Sequence, residues 1–161
     1  MKHKIILFIS LVIVSLITVL GFSGFPISAN SEGTYVKVNL RTEREYVYYN
    51  GHLKANIPVN TGRPGRDATP TGTFHILYKQ RNATLRGYND NGTRYARFVH
   101  YWEPITWSGV GLHDASWVPL KAFGNSSYRP YTGSHGCINN PVNRMPTVWK
   151  YTFKGEKVVI Y

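Results

Sequence analysis

Tyr35-Val36-Lys37-Val38-Asn39-Leu40-Arg41 alternates apolar and polar side chains, with Val36, Val38 and Leu40 on one side and Lys37, Asn39 and Arg41 on the other. That period of two is the signature of a strand with one buried face, because successive side chains leave a pleated chain in opposite directions. Directly downstream, Glu45 to Tyr49 and His52 to Val59 flank Asn50-Gly51. Asn-Gly between two such runs predicts a hairpin with a two-residue turn, since both central positions require positive φ. The fold class that follows is mainly β.

Working outward, Thr61 to Gly72 contains Gly62, Pro64, Gly65, Pro70 and Gly72 and is expected to be loop. Within it, Thr69 to Gly72 is read as turn chemistry. Phe74 to Tyr78 resumes a strand. Arg81 to Thr93, rich in Asn and Gly, reads as a long polar excursion, and Arg94 to Trp102 and Gly109 to Leu112 as further strands. Short helices are expected around Ala115 to Phe123 and Arg144 to Tyr151, limited by Pro119 and Pro146, before a last strand from Lys157 to Tyr161.

A chain of 161 residues has room for one domain. Its 42% hydrophobic and 17% charged residues are those of a globular protein rather than a disordered one. The single Cys excludes an intrachain disulfide and a Cys-based zinc finger. A net charge of +11 calls for an acidic partner: a cell envelope, anionic lipid or nucleic acid.

The N-terminus narrows that choice. Lys2 and Lys4 precede an uncharged run from Ile5 to Leu20, broken by Gly21, Gly24 and Pro26 and followed by Ile27-Ser28-Ala29. A basic end, an apolar stretch and a small-residue exit make an export signal, expected over residues 1–29. Left uncleaved, residues 5–25 are long enough to anchor the chain in a membrane with the remainder outside. Residues 30–161 are then an extracytoplasmic domain in cell wall or periplasm. Loss of Lys2 and Lys4 leaves it at +9. An anionic cell envelope is the matching partner, and no nucleic-acid motif is present.

Only Ser134-His135-Gly136-Cys137-Ile138-Asn139 carries obvious chemistry. A lone thiol in an exported domain is unusual. Gly136 allows a sharp turn that frees consecutive N–H groups to hold an oxyanion, and a nearby imidazole can take the thiol proton. His113, closing the apolar run Val110-Gly111-Leu112, is a second imidazole. His113, His135 and Cys137 with Asp114 also offer a metal-hydrolase reading, but the H-x-C spacing is weak and no Glu stands ready as base.

The hexapeptide with its upstream His closely resembles the signature of the L,D-transpeptidase catalytic domain, the YkuD family. Tyr46-Val47-Tyr48, Val59-Asn60-Thr61-Gly62, Thr69-Pro70-Thr71-Gly72-Thr73-Phe74, Gly111-Leu112-His113 and Val158-Val159-Ile160-Tyr161 follow that family's order, so the resemblance spans residues 34–161. It implies a single-domain β-sandwich of mixed sheets with one or two short helices. It also implies Cys137 as nucleophile, His135 as general base oriented by the Ser134 carbonyl, an oxyanion hole from the Gly136 and Cys137 amides, and His113 facing the same pocket. Asn139 stands where Arg is common, and Asn139, Tyr101 and Trp102 are the expected substrate contacts, with His100 and Trp107 as further groove candidates. The implied reaction is thioester formation with a peptidoglycan tetrapeptide stem and transfer to a second stem in a 3→3 link, with no metal or organic cofactor. Water as acceptor would make an L,D-carboxypeptidase, and an envelope-protein amine an anchoring enzyme. A sortase fits less well, because Tyr131-Thr132-Gly133-Ser134 lacks the sortase pattern before its Cys. A non-catalytic basic peptidoglycan-binding module would account for the charge but not for the Ser-His-Gly-Cys segment.

Overall fold

A computed structural model describes residues 33–161, so the signal or anchor expected over residues 1–29 lies outside the described residues. The first sheet has the order β3-β2-β1-β9-β4, from His52–Pro58, Arg44–Tyr49, Tyr35–Asn39, Lys157–Ile160 and Gly72–His75. The second has the order β5-β6-β7-β8, from Gln80–Tyr88, Arg94–Pro104, Gly111–Asp114 and Ile138–Asn140. Each sheet is mixed: β1 runs parallel to β9 and β7 parallel to β8, while the other pairs are antiparallel. The expected mainly-β class and sandwich are what the chain forms.

Val36, Val38, Val47, Val158 and Ile160 of the first sheet meet Leu112 and Ile138 of the second in one buried core. The helix α2 (Met145–Tyr151) adds Met145 and Val148 to it. The expected alternation holds residue by residue: Tyr35–Asn39 buries its second and fourth positions. Asn50 and Gly51 both adopt positive φ, at 50° and 76°, and close the β2–β3 hairpin with Tyr49 opposite His52.

Three expectations fail. Arg81 to Thr93 is not an excursion: β5 runs from Gln80 to Tyr88 and pairs with β6 along its length, leaving only the Asn89–Thr93 turn. β5 buries only Ala83, so it lacks the apolar alternation that would mark it. The helix expected over Ala115 to Phe123 shrinks to one 3-10 turn, Leu120–Ala122, directly after Pro119. A four-residue helix, α1 (Arg129–Thr132), lies where none was expected. The Arg144–Tyr151 helix forms, starting at Met145.

One buried carboxylate fixes how the loop after β3 approaches the second sheet. Glu43 accepts hydrogen bonds from Thr61 N (2.7 Å), Thr61 Oγ1 (2.6 Å) and Arg129 Nη1 (3.2 Å). Arg129 and these hydrogen bonds lower the Glu43 pKa, but burial outweighs them and leaves it above its ordinary value. Thr61 and Arg63, held this way, present their backbone to the segment that carries Cys137.

Candidate active site

β7 lies between β6 and β8. Its register sets Leu112 opposite Ile138 and His113 opposite both Asn139 and Trp102. Leu112 and Ile138 point into the core. The alternate residues His113 and Asn139, together with Cys137 just before β8, therefore leave from the other face. That face is the floor of a cavity of about 830 Å³, with Trp102, Trp117, Tyr95 and His135 on its walls.

His113 is 2% exposed, and its Nδ1 lies 3.0 Å from the Asp114 carbonyl oxygen. A carbonyl only accepts, so Nδ1 carries the hydrogen and Nε2 keeps the lone pair. The ring packs against Trp102 and Trp117, each 5.8 Å away by centroid. Burial lowers its pKa below the ordinary 6.5, so the imidazole is neutral at neutral pH. The Asp114 carboxylate is committed elsewhere, to His100 Nδ1 and the Tyr101 N–H, both at 2.8 Å.

Half-buried Cys137 donates its thiol hydrogen to the Gly109 carbonyl at 3.4 Å, and burial pushes its pKa up to about 11. The turn before it needs Gly136, whose φ is +113°. Ser134 stitches this turn: its Oγ accepts from Gly136 N at 3.0 Å and donates to the Cys137 carbonyl at 2.6 Å. Its backbone bonds to Thr61 O (3.1 Å) and Arg63 N (3.0 Å). The Gly136 amide is thus engaged inside the turn, while the Cys137 N–H makes no hydrogen bond within the described residues.

His135 sits at the rim, 34% exposed. Its ring stacks on Tyr95 at 5.6 Å and 7°, and its Nε2 is 3.9 Å from Asp90. The Ser134 carbonyl meant to orient it is occupied by Arg63 N. Asp67, Asp90 and His135 offer ligand atoms within 4.8 Å of one another, but Arg63 and Arg66 already ion-pair with both carboxylates. The quartet of the metal-hydrolase reading does not converge, since Asp114 turns away to His100.

A profile of the YkuD family, the L,D-transpeptidase catalytic domain, matches residues 33–160. The chain belongs to that family. L,D-transpeptidase 1 of Mycobacterium tuberculosis is 33% identical over 96 residues, 56% of this chain and 35% of the relative. The chain therefore spans about a third of the length of the curated relatives it matches. A crystal structure of an Enterococcus faecium L,D-transpeptidase mutant superposes with a TM-score of 0.72 at 36% identity, covering 80% of this chain and 50% of that one. The NMR structure of the catalytic domain from E. faecium L,D-transpeptidase acylated by ertapenem gives 0.69 at 37% identity, covering 80% and 97%.

In this L,D-transpeptidase domain the expected substrate contacts divide. Trp102, 6% exposed, is part of the cavity wall and supports the His113 ring. Tyr101 is not at the cavity. It points to the opposite side, packing on the main core beside Trp149 and under the Arg81 guanidinium. Adjacent residues on β6 leave from opposite faces, so Tyr101 turns away where Trp102 faces the cavity. The ladder is interrupted between the Arg81–Tyr101 and Ala83–Val99 pairs, where Asn82 has φ of 54°, and beyond that point Tyr95 and Arg97 line the cavity. Asn139 borders the cavity but is 2% exposed, and its Nδ2 bonds to Asn60 Oδ1 at 3.2 Å. Its backbone pairs with Asn60 in both directions at 3.0 Å, so it ties β8 to the loop after β3. Trp117 and Tyr95 were not singled out from the sequence. Trp117 lay inside an expected helix and Tyr95 in an apparently ordinary strand, and only the cavity brings them together.

Proposed function

We propose that this chain is a cysteine L,D-transpeptidase acting on peptidoglycan tetrapeptide stems. The observation that carries the reading is the β7–β8 register, which sets the His113 imidazole and the Cys137 thiol on one face at the floor of the cavity. Residues diagonal to each other on neighbouring strands are within reach of side chains of this length.

In the proposed mechanism His113, rather than His135, is the general base. Its Nε2 is the free acceptor, its ring is fixed by the Asp114 carbonyl, and its lowered pKa keeps it neutral. The thiol leaves the Gly109 carbonyl and passes its proton to Nε2 as sulfur attacks the carbonyl of the third stem residue. The oxyanion takes the free Cys137 N–H; the Gly136 amide expected to help would first have to leave Ser134 Oγ. Collapse breaks the peptide bond, the proton goes from His113 to the departing D-Ala amine, and a thioester remains. An amine of a second stem, deprotonated by the same imidazole, takes the acyl group and restores the thiol. The proposed setting is extracytoplasmic, from Lys2, Lys4 and the apolar run that follows.

The test is intact-protein mass spectrometry after incubation with a tetrapeptide stem, followed by muropeptide analysis. One adduct lacking the terminal D-Ala is expected on the wild type and none on Cys137→Ala. A 3→3 dimer supports transpeptidation, a tripeptide alone means that water is the acceptor, and an equal adduct on the variant would overturn the nucleophile. Because the E. faecium domain is acylated by ertapenem, a carbapenem is expected to label Cys137 as well.

A further inference from the structure

Arg97 stands on β6 opposite Leu85 of β5, on the hairpin face that also carries Ala83 with Val99 and Gly87 with Tyr95. That face roofs the cavity. Its guanidinium lies 5.5 Å from the Trp117 ring centroid, and Trp117 stacks in turn on His113 at 5.8 Å and 30°. Arg97 makes no ion pair or hydrogen bond among the described residues. The acids near this rim, Asp67 and Asp90, are paired with Arg63 and Arg66, and Asp114 is taken by His100. An Arg held against an aromatic face, unpaired and turned into a cavity, is a ready fork for a carboxylate.

Given the transpeptidase reading above, on which this inference rests, we propose that Arg97 binds the C-terminal carboxylate of the leaving residue and selects donors that end one residue beyond the scissile bond. His113 must deliver its proton to the leaving amine, so the leaving residue lies on the His113–Trp117 side of the cavity. The carboxylate of that residue is separated from its amine by a single carbon. Arg97, whose guanidinium lies 5.5 Å from the Trp117 ring on which His113 stacks, is a cation placed to meet it. A donor extended by another residue, or capped as an amide, would offer no charge at that point.

The experiment compares kcat/KM for thioester formation with a tetrapeptide stem and with its C-terminal carboxamide, in wild type, Arg97→Gln, Arg97→Lys and Arg94→Gln. Arg94 lies on the outward face of the same hairpin, over Tyr88. The wild type is expected to favour the acid by about 10- to 100-fold, the worth of a charge-assisted pair. Arg97→Gln should slow the acid by that factor and leave the amide unchanged, Arg97→Lys should keep part of the preference, and Arg94→Gln all of it. Equal wild-type rates on both peptides, or an Arg97→Gln loss shared equally by both, would overturn the role of Arg97 while leaving the thioester intact. No thioester from either peptide on the wild type would overturn the transpeptidase reading and this inference with it.

Discussion

His113 and His135 carry the same ring into opposite surroundings. One is buried with its Nδ1 hydrogen committed to a carbonyl, and the other is a rim residue stacked on Tyr95. His113→Ala is therefore expected to slow carbapenem acylation by roughly 10²- to 10⁴-fold, the usual worth of a positioned base. His135→Ala should cost far less, acting only through Tyr95 and the shape of the rim. Stopped-flow acylation of both variants decides it, and a dead His135 variant beside an active His113 variant would reverse the roles. The thiol adds a second test. With Cys137 pushed up to about 11 by burial and His113 held below 6.5, the resting pair is thiol and imidazole rather than an ion pair. Alkylation by iodoacetamide should keep accelerating past pH 9, and a plateau near neutrality would show a preformed thiolate.

The β5–β6 hairpin is the element that makes a cavity out of a sheet face. Its tip is tied down by charge: Asp90 pairs with Arg63 Nη1 at 2.7 Å and with Arg66 Nη2 at 3.4 Å, across the loop after β3. Arg63 holds the Asp90 carboxyl below its ordinary range, so the tie outlasts mild acid. Asp90→Asn should free the tip while leaving the core unchanged. Hydrogen exchange should rise at residues 84–97 and stay constant in β1, β2 and β9. Unchanged exchange at the hairpin would mean that pairing along β5 and β6 alone holds the roof in place.

Between the two sheets lies a polar seam that affects the whole molecule. Glu45 and Glu103 are fully buried; Glu45 Oε2 accepts from Asn140 Nδ2 at 3.1 Å, and Glu103 Oε1 bonds Thr152 at 2.6 Å and Lys79 at 3.0 Å. Among the described residues Glu45 Oε1, Glu103 Oε2 and Asn140 Oδ1 have no partner, a surplus of acceptors that a proton on Glu45 would relieve. Burial, with a smaller contribution from Glu103, raises Glu45 from 4.5 to about 8. The folded state thus holds a proton that the unfolded chain releases between those values, and stability falls as pH rises through that window. Melting temperatures from pH 5 to 9 should decline for the wild type and less steeply for Glu45→Gln, which supplies a permanent N–H donor, the remaining slope coming from other buried carboxyls such as Glu43; equal slopes would place the titration elsewhere. The net charge of +11 acts at the same scale. Retention of a Cys137→Ala protein on isolated walls should weaken steeply with salt, as charges are screened over about 10 Å at 0.1 M. Turnover of a small soluble peptide should change much less.

The alternating strands at Tyr35 to Asn39 and Lys157 to Ile160, the Asn50-Gly51 turn and the Ser134–Asn139 segment are legible because each rests on local chemistry: side-chain period, positive φ, a thiol beside a glycine. Cys137 is legible as a candidate from its neighbours in sequence. Which imidazole shares its face is not. His135 is near Cys137 along the chain, but His113 reaches the same face only because β7 and β8 pair in parallel with His113 opposite Asn139. The β6–β7 register sets Trp102 beside His113 in the cavity and its neighbour Tyr101 away from it, and the pairing of β8 makes Asn139 a buried tie to Asn60. The β5 strand is not legible in the sequence, because backbone pairing and an ion-paired tip hold it and neither leaves an apolar period. Sequence fixes what each residue can do locally; pairing between distant strands decides which of those residues meet.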